Sequence, residues 1–324
     1  MLAESIGALL PAPARAVVIN VGTELVTTLA LLSAVRYADM PVLLINCTDT
    51  SRSREYFDAL ARRTPIDIVN APLQPHGKTL DALFAATNDD VLLLLDSDAE
   101  ICDADWVPRL RRYFDHSTTF GAGFLNGPEW LSERHGAPAG TAMLHERPWM
   151  PSVFLRVAHV REALDAGASF RAHVTFNDFA PSGRISRLMA ARFDNSFIGG
   201  SRLVRRLPQK VRTRLGHATL PRLAWLRGTY YGHRPNFVWC DTGTDVFQYC
   251  RYKRGLVFAG LHVSLLDDEV RHYQGVTRHL LKGNEIGATA LNDVEVEVID
   301  RLATAYDFDW PAAATAAGLV APRG

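Results

Sequence analysis

"NDDVLLLLDSDAE", residues 88–100, decides how the rest of the chain is read. Five aliphatic residues, Val91 to Leu95, run directly into Asp96, Ser97, Asp98 and Glu100. An unbroken aliphatic run of this length, bounded by polar residues, is the pattern of a strand covered on both faces. The carboxylates that follow cannot share that interior without compensation. In open α/β sheets the ligand crevice lies outside the carboxyl ends of the strands. The stretch therefore reads as a central strand that delivers its acids to a crevice.

The flanking sequence supports that reading. "RAVVINVG" (15–22), "MPVLLINCT" (40–48) and "PIDIVNAP" (65–72) are short apolar runs of the same kind. Between them, "ELVTTLALLSAVRYA" (24–38), "SREYFDALARR" (53–63) and "KTLDALFAAT" (78–87) carry helical spacing. Strands alternating with helices predict βαβ units: an α/β fold with a mostly parallel central sheet flanked by helices. Beyond residue 118 the pattern loosens. "TTFGAGFLNG" (118–127) and "LVFAGLHVSL" (256–265) read as strands, and "DVFQYCRYKRG" (245–255) as a helix. "PWMPSVFLRVAHVREALDAG" (148–167) reads as strand, turn and helix. One continuous domain is expected, with halves at 1–125 and 126–280 and a C-terminal helical tail at 281–324. The low-complexity "WPAAATAAGLVAPRG" closing that tail is expected to fray or dock loosely.

Composition sets the bounds. The 324 residues are 48% hydrophobic and 22% charged, with 35 basic and 35 acidic residues. Zero net charge argues against a nucleic-acid partner. The four cysteines, Cys47, Cys102, Cys240 and Cys250, form no C-x-x-C pair and read as free thiols. The first twenty residues lack a basic segment and carry prolines where a signal peptide continues apolar, and no apolar run reaches membrane-spanning length. A cytoplasmic protein is expected.

Asp96 and Asp98 stand two apart, so on an extended strand they share a face, with Cα atoms roughly 6.5–7 Å apart. That is too wide for both to grip one Mg²⁺ at about 2.0–2.1 Å. Either the strand bends, or one aspartate binds the ion while the other reaches a hydroxyl. The competing account is a helix cap or a solvated turn. "HGKTLDALFAATNDDVLLLLDSDAEI" resembles the A-type glycosyltransferase fold, in particular the family 2 nucleotide-sugar transferases: Gly-Lys, helix, strand, then D-x-D. The similarity extends over roughly residues 16 to 275. It implies a nucleoside-diphosphate sugar donor, with Asp98 on Mn²⁺ or Mg²⁺ and Asp96 on metal or ribose. The two halves become a nucleotide-sugar-binding half and an acceptor/catalytic half. The resemblance puts Thr23 and Glu24 of "NVGTE" near the base and Lys78 near a phosphate. Asn46 stands where the family carries a base-reading acid.

A second strand end delivers acids in "NFVWCDTGTDVFQYCRYKRG" (236–255). Inverting sugar transfer needs one base for the acceptor hydroxyl proton. The resemblance assigns that role to this segment, to Asp241 first and Asp245 in reserve; capping the following helix is the competing role of each. His272 in "HYQG" resembles the family's third metal ligand, with His262 as competitor. Residues 201–228 hold eight basic residues and no acid. They read either as a solvated lobe or as a surface for an anionic partner, such as a lipid-linked acceptor, a polysaccharide or the anionic inner face of a membrane. Trp130, Trp149 and Trp225 could stack on sugar rings or simply pack.

The expected activity is metal-dependent, inverting transfer from a nucleotide sugar to a glycan or glycolipid-type acceptor. The rivals are a sugar-phosphate nucleotidyltransferase, disfavoured by the single glycine of "NVGTELVT", and a silent binding or scaffold module.

Overall fold

The aliphatic run at 91–95 lies in the middle of the sheet, as its composition requires. A computed structural model describes residues 2–48, 50–126, 129–130, 142–144, 146–176, 237–261, 269–273 and 288–319. Strands β1 (Ala14–Asn20), β2 (Val42–Asn46), β3 (Ile66–Asn70) and β4 (Val91–Asp96) pair in parallel, β1 lying between β2 and β4. The crossovers run through α2 (Glu24–Tyr37), α3 (Ser51–Ala61) and α4 (His76–Ala86), after a short α1 (Leu2–Gly7). Past β4 come β5 (Ala99–Ile101), α5 (Trp106–Arg111) and β6 (Thr119–Asn126). Next are β7 (Glu129–Trp130), β8 (Ala142–Leu144), β9 (Arg147–Arg156), α6 (Val157–Asp165) and β10 (His173–Phe176). The order closes with β11 (Phe237–Cys240), α7 (Thr244–Gln248), β12 (Val257–Leu261), β13 (Val270–His272), α8 (Ala288–Tyr306) and α9 (Trp310–Ala316).

The main sheet has seven strands in the order β12-β6-β9-β4-β1-β2-β3. It is mostly parallel, with helices on both faces, as expected. The exception is β9, antiparallel to both β4 and β6. A four-stranded sheet (β10-β11-β8-β7) and the ribbon β13-β5 complete it.

Alternation divides the core. Ala16, Val18, Leu44, Leu93 and Leu95 face α2, α3, α8 and α9, whereas Val17, Ile19, Leu43, Leu92 and Leu94 face α4, α6 and α7. Each such leucine contributes about 1.5–3 kcal/mol by leaving water, which is why β4 tolerates no polar residue before Asp96. Cys47, Cys102 and Cys250 are free thiols. Burial pushes Cys47 up to about 11 and Cys250 up to about 12, so both stay protonated and unreactive.

The helix read at 245–255 is present, opening at Thr244 and widening into a π turn over Tyr249–Lys253. Two local expectations are corrected. Strand β9 passes into α6 at Arg156 and Val157 with no intervening turn. Most consequential, the tail docks. Asp309 caps α9 by accepting from Ala312 N–H (3.0 Å), Trp310 packs edge-on against Tyr56, and Ala314 is fully buried. Ala314 lies against the core, with Ala313 and Ala317 half-buried beside it. None of the described helices is long and apolar enough to cross a membrane.

Candidate active site

The strand does not stay extended through D-x-D. β4 ends at Asp96, the chain turns at Ser97 and Asp98, and β5 leaves the main sheet to lie against α2, where Ile101 N–H donates to Ser33 Oγ (3.2 Å). There β5 pairs antiparallel with β13, setting His272 opposite Ala99. Tyr273 N–H donates to the Asp98 carbonyl (2.8 Å), and Cys102 N–H to the Glu269 carbonyl (2.8 Å). The result brings His272 to Asp96 and Asp98, more than 170 positions away in the sequence. One ligand atom each from Asp96, Asp98 and His272 lies within 4.8 Å of the others, and His272 Nε2 is 3.2 Å from Asp98 Oδ1. Two carboxylate oxygens and an imidazole nitrogen suit Mn²⁺, and suit Mg²⁺ through the oxygens. Ligands about 2.1 Å from a six-coordinate ion stand about 3.0–4.2 Å apart, so the group would close in somewhat around an ion.

Charge is concentrated at this corner. Burial raises the Asp96 carboxyl above its ordinary value; His76 opposes this, Asp98 adds to it, His272 opposes it and Asp241 adds to it. Asp98 and Asp241 both act on Asp96, a repulsion that a divalent ion would reduce. His76, the first residue of α4, has no motif to announce it and was missed in the sequence.

Glu100, the third acid of the stretch, has a different role. It is fully buried, and its carboxylate accepts from Tyr273 Oη (3.1 Å), Tyr306 Oη (2.9 Å) and the Arg301 guanidinium (Nε 3.3 Å). Burial, then the Glu100 charge, raises both phenols, which stay protonated donors. Trp149 is buried as well, its ring edge-on to Phe124 and to the His272 imidazole at 5.5 Å. It packs behind the candidate ligand and has little face left for a sugar.

At the carboxyl ends of β1, β2 and β3, asparagines align across three strands. Asn20, Asn46 and Asn70 are in register; Asn20 Nδ2 donates to Asn46 Oδ1 (2.9 Å) and Asn46 Nδ2 to Asn70 Oδ1 (3.2 Å). Asn46 has no exposed surface, so in this conformation it braces the exposed Asn70 and does not itself reach a base. Asn20 Oδ1 accepts from Thr23 N–H (2.9 Å) and from Thr27 Oγ1 (3.0 Å). Thr23 is buried, its hydroxyl 3.3 Å from Ser97 Oγ, linking this ladder to the D-x-D turn. Glu24 is half-buried at the start of α2. Lys78 is exposed in the first turn of α4. The glycine before it serves packing, since a Cβ at Gly77 would lie 2.4 Å from the Phe170 carbonyl oxygen.

Asp241 follows β11 directly. Its Oδ1 accepts from Thr242 N–H (2.8 Å), and its Oδ2 is 3.5 Å from Nε of the buried Arg147. Its side chain remains 45% exposed, enough to meet an incoming hydroxyl. Asp245 is half-buried in the first turn of α7, where an acid also favours the helix dipole. Gly243, between them, takes a left-handed φ of +85°, and a Cβ there would sit 2.9 Å from Met150 Sδ. The basic segment 201–228, His262 and Trp225 lie outside the described residues, as does the side chain of Trp130.

No family model matches the chain, and no curated protein matches it. Among solved structures it is similar to S. aureus TarS 1-349 in complex with UDP-GlcNAc, at 13% identity and a TM-score of 0.36, covering 49% of each chain. TarS 1-349 alone gives 12% identity and 0.36 over 67% of this chain and 73% of that one. A third structure of S. aureus TarS gives 11% and 0.35 over 90% and 44%. The chain spans about half the length of the first of these. A likeness this distant carries no functional inference.

Proposed function

We propose that the chain is a metal-dependent, inverting glycosyltransferase of the A-type fold, moving a sugar from a nucleoside-diphosphate sugar to a glycan or glycolipid-type acceptor. The observation that carries this reading is the grouping of Asp96, Asp98 and His272 at the carboxyl edge of the sheet, with Asp241 within electrostatic reach of Asp96. Asp96, Asp98 and His272 would hold Mn²⁺ or Mg²⁺. When bound, that ion supplies positive charge to the diphosphate as it leaves.

The remaining work falls to the chain itself. The ladder that ends at Asn70, together with the α2 start at Thr23 and Glu24, forms a polar ledge beside the D-x-D turn for the nucleoside. Asp241 accepts the acceptor hydroxyl proton as that oxygen bonds to the anomeric carbon and the carbon–diphosphate bond breaks. Thr242 N–H and Arg147 fix the orientation of the carboxylate. Asp245 supports the helix that begins behind it. The run 201–228, with eight basic residues and no acid, is the candidate in the sequence for an anionic partner.

A panel of nucleotide sugars with Mn²⁺, scored for slow hydrolysis and for binding, tests this. Asp98→Ala is expected to lose donor binding, and Asp241→Ala to bind donor without transferring it. Full transfer by Asp241→Ala would overturn the base assignment. Pyrophosphate release from a nucleoside triphosphate would replace the reading with a nucleotidyltransferase, and no metal-dependent affinity for any nucleotide would leave a binding module.

A further inference from the structure

The Glu100 cluster lies outside the chemistry above, yet it touches both halves of the candidate metal site. Residues 98–101 and 269–273 form one ribbon: Asp98 and His272 sit at one end, tied by Tyr273 N–H on the Asp98 carbonyl, and Glu100 lies within it. Glu100 is gripped from its own ribbon by Tyr273, the residue next to His272, and from α8 by Arg301 and Tyr306. Helix α8 has a second hold on α2, where the Arg36 guanidinium donates to the Ala305 carbonyl. Among the described residues, Glu100 is thus the buried charge that joins the ribbon to the C-terminal helix, and its cationic partner comes from that helix.

We propose that Glu100, Tyr273, Arg301 and Tyr306 are the positioning residues of the metal site, so that docking of α8 and binding of a divalent cation are thermodynamically linked. The proposal rests on the metal reading above and extends it to residues that never touch the ion. With α8 docked, Glu100 is neutralised and the Tyr273 hydroxyl is held, which fixes the backbone of the next residue, His272, against Asp98. With α8 detached, a bare carboxylate stays within the ribbon and repels the acids two and four residues earlier. Linkage is reciprocal: whatever α8 docking adds to cation affinity, the cation returns to α8 docking.

The test uses the full chain and Mn²⁺ alone, with binding read from loss of the free-ion electron paramagnetic resonance signal and docking from amide exchange over residues 295–306. Tyr273→Phe, which removes one hydroxyl, is expected to weaken Mn²⁺ about three- to tenfold, and Arg301→Met by at least about tenfold, the size typical of residues supporting metal ligands. Arg301→Lys should recover most of the loss. Thr87→Val breaks a hydrogen bond to Asp89 at the opposite edge of the sheet and should lower Tm without changing Mn²⁺ affinity. In the wild type, Mn²⁺ should slow exchange in α8. Should Arg301→Met fail to fold, Tyr273→Phe carries the test. Normal Mn²⁺ binding by wild type, with both variants within about twofold of it, overturns this proposal alone. No Mn²⁺ binding by wild type overturns the metal reading and this proposal with it.

Discussion

Asp98 and Glu100 are two residues apart, and both are buried, yet the fold treats them in opposite ways. Glu100 receives a guanidinium and two phenol hydroxyls, a permanent neutralisation that pins the C-terminal helix. Asp98 shares its corner with an imidazole and with Asp96, whose carboxyl burial holds above its ordinary value. An acid that belongs to the architecture is supplied with a resident cation. The acids at the sheet edge are instead crowded together: burial, Asp98 and Asp241 raise the Asp96 carboxyl, and His76 and His272 oppose them. The amino edge of the sheet repeats the first pattern: Arg15 binds Asp89 (2.8 Å) and Asp67 (2.9 Å) and is itself buried.

The contrast can be broken by substitution. Arg301→Met strands a buried carboxylate and should cost about 3 kcal/mol or more in urea unfolding, because removing one partner of a buried pair leaves the other uncompensated. A loss under about 1 kcal/mol would mean Glu100 is not held as described. Gly77→Ala pushes a methyl onto the Phe170 backbone and should cost about 2 kcal/mol, moving the start of α4 and with it His76. Asp309→Ala removes the α9 cap and should cost about 1 kcal/mol, a test of the docked tail. The smallest effect has the opposite sign. An acid whose folded-state value is raised destabilises the fold above that value, and stops doing so once pH falls to the ordinary carboxylate range of about 4. Asp96→Asn should therefore raise Tm by a few degrees in metal-free neutral buffer, with the gain fading on acidification. Equal Tm for the two proteins at neutral pH would contradict the stored repulsion.

The parallel half was legible because each strand is a short, mainly apolar run separated from the next by a helix. The reversal of β9 was not, since ten residues of "RPWMPSVFLR" pack the same way in either direction and the connection decides. Asp96, Asp98 and His272 were read as a group, but the way they meet was not: β5 and β13 have three residues each, too short to leave a period in the sequence. Asn46 was placed on the correct strand end, yet its commitment to a ladder exists only once β1, β2 and β3 are in register. His76 and Arg147 gave no signal, because a histidine opening a helix and an arginine opening a strand are ordinary until folding sets them beside Asp96 and Asp241. The tail was misread because alanine-rich composition was taken for looseness, while Trp310, the residue that anchors it, stood at its head.

The most direct measurement is calorimetric titration of the full chain with a series of nucleoside diphosphates, in Mn²⁺ and in EDTA, for wild type and Asp98→Ala. The account predicts that at least one nucleotide binds wild type only in Mn²⁺, and that Asp98→Ala binds none. Equal affinity in EDTA, or undiminished Mn²⁺-dependent binding by Asp98→Ala, would contradict it.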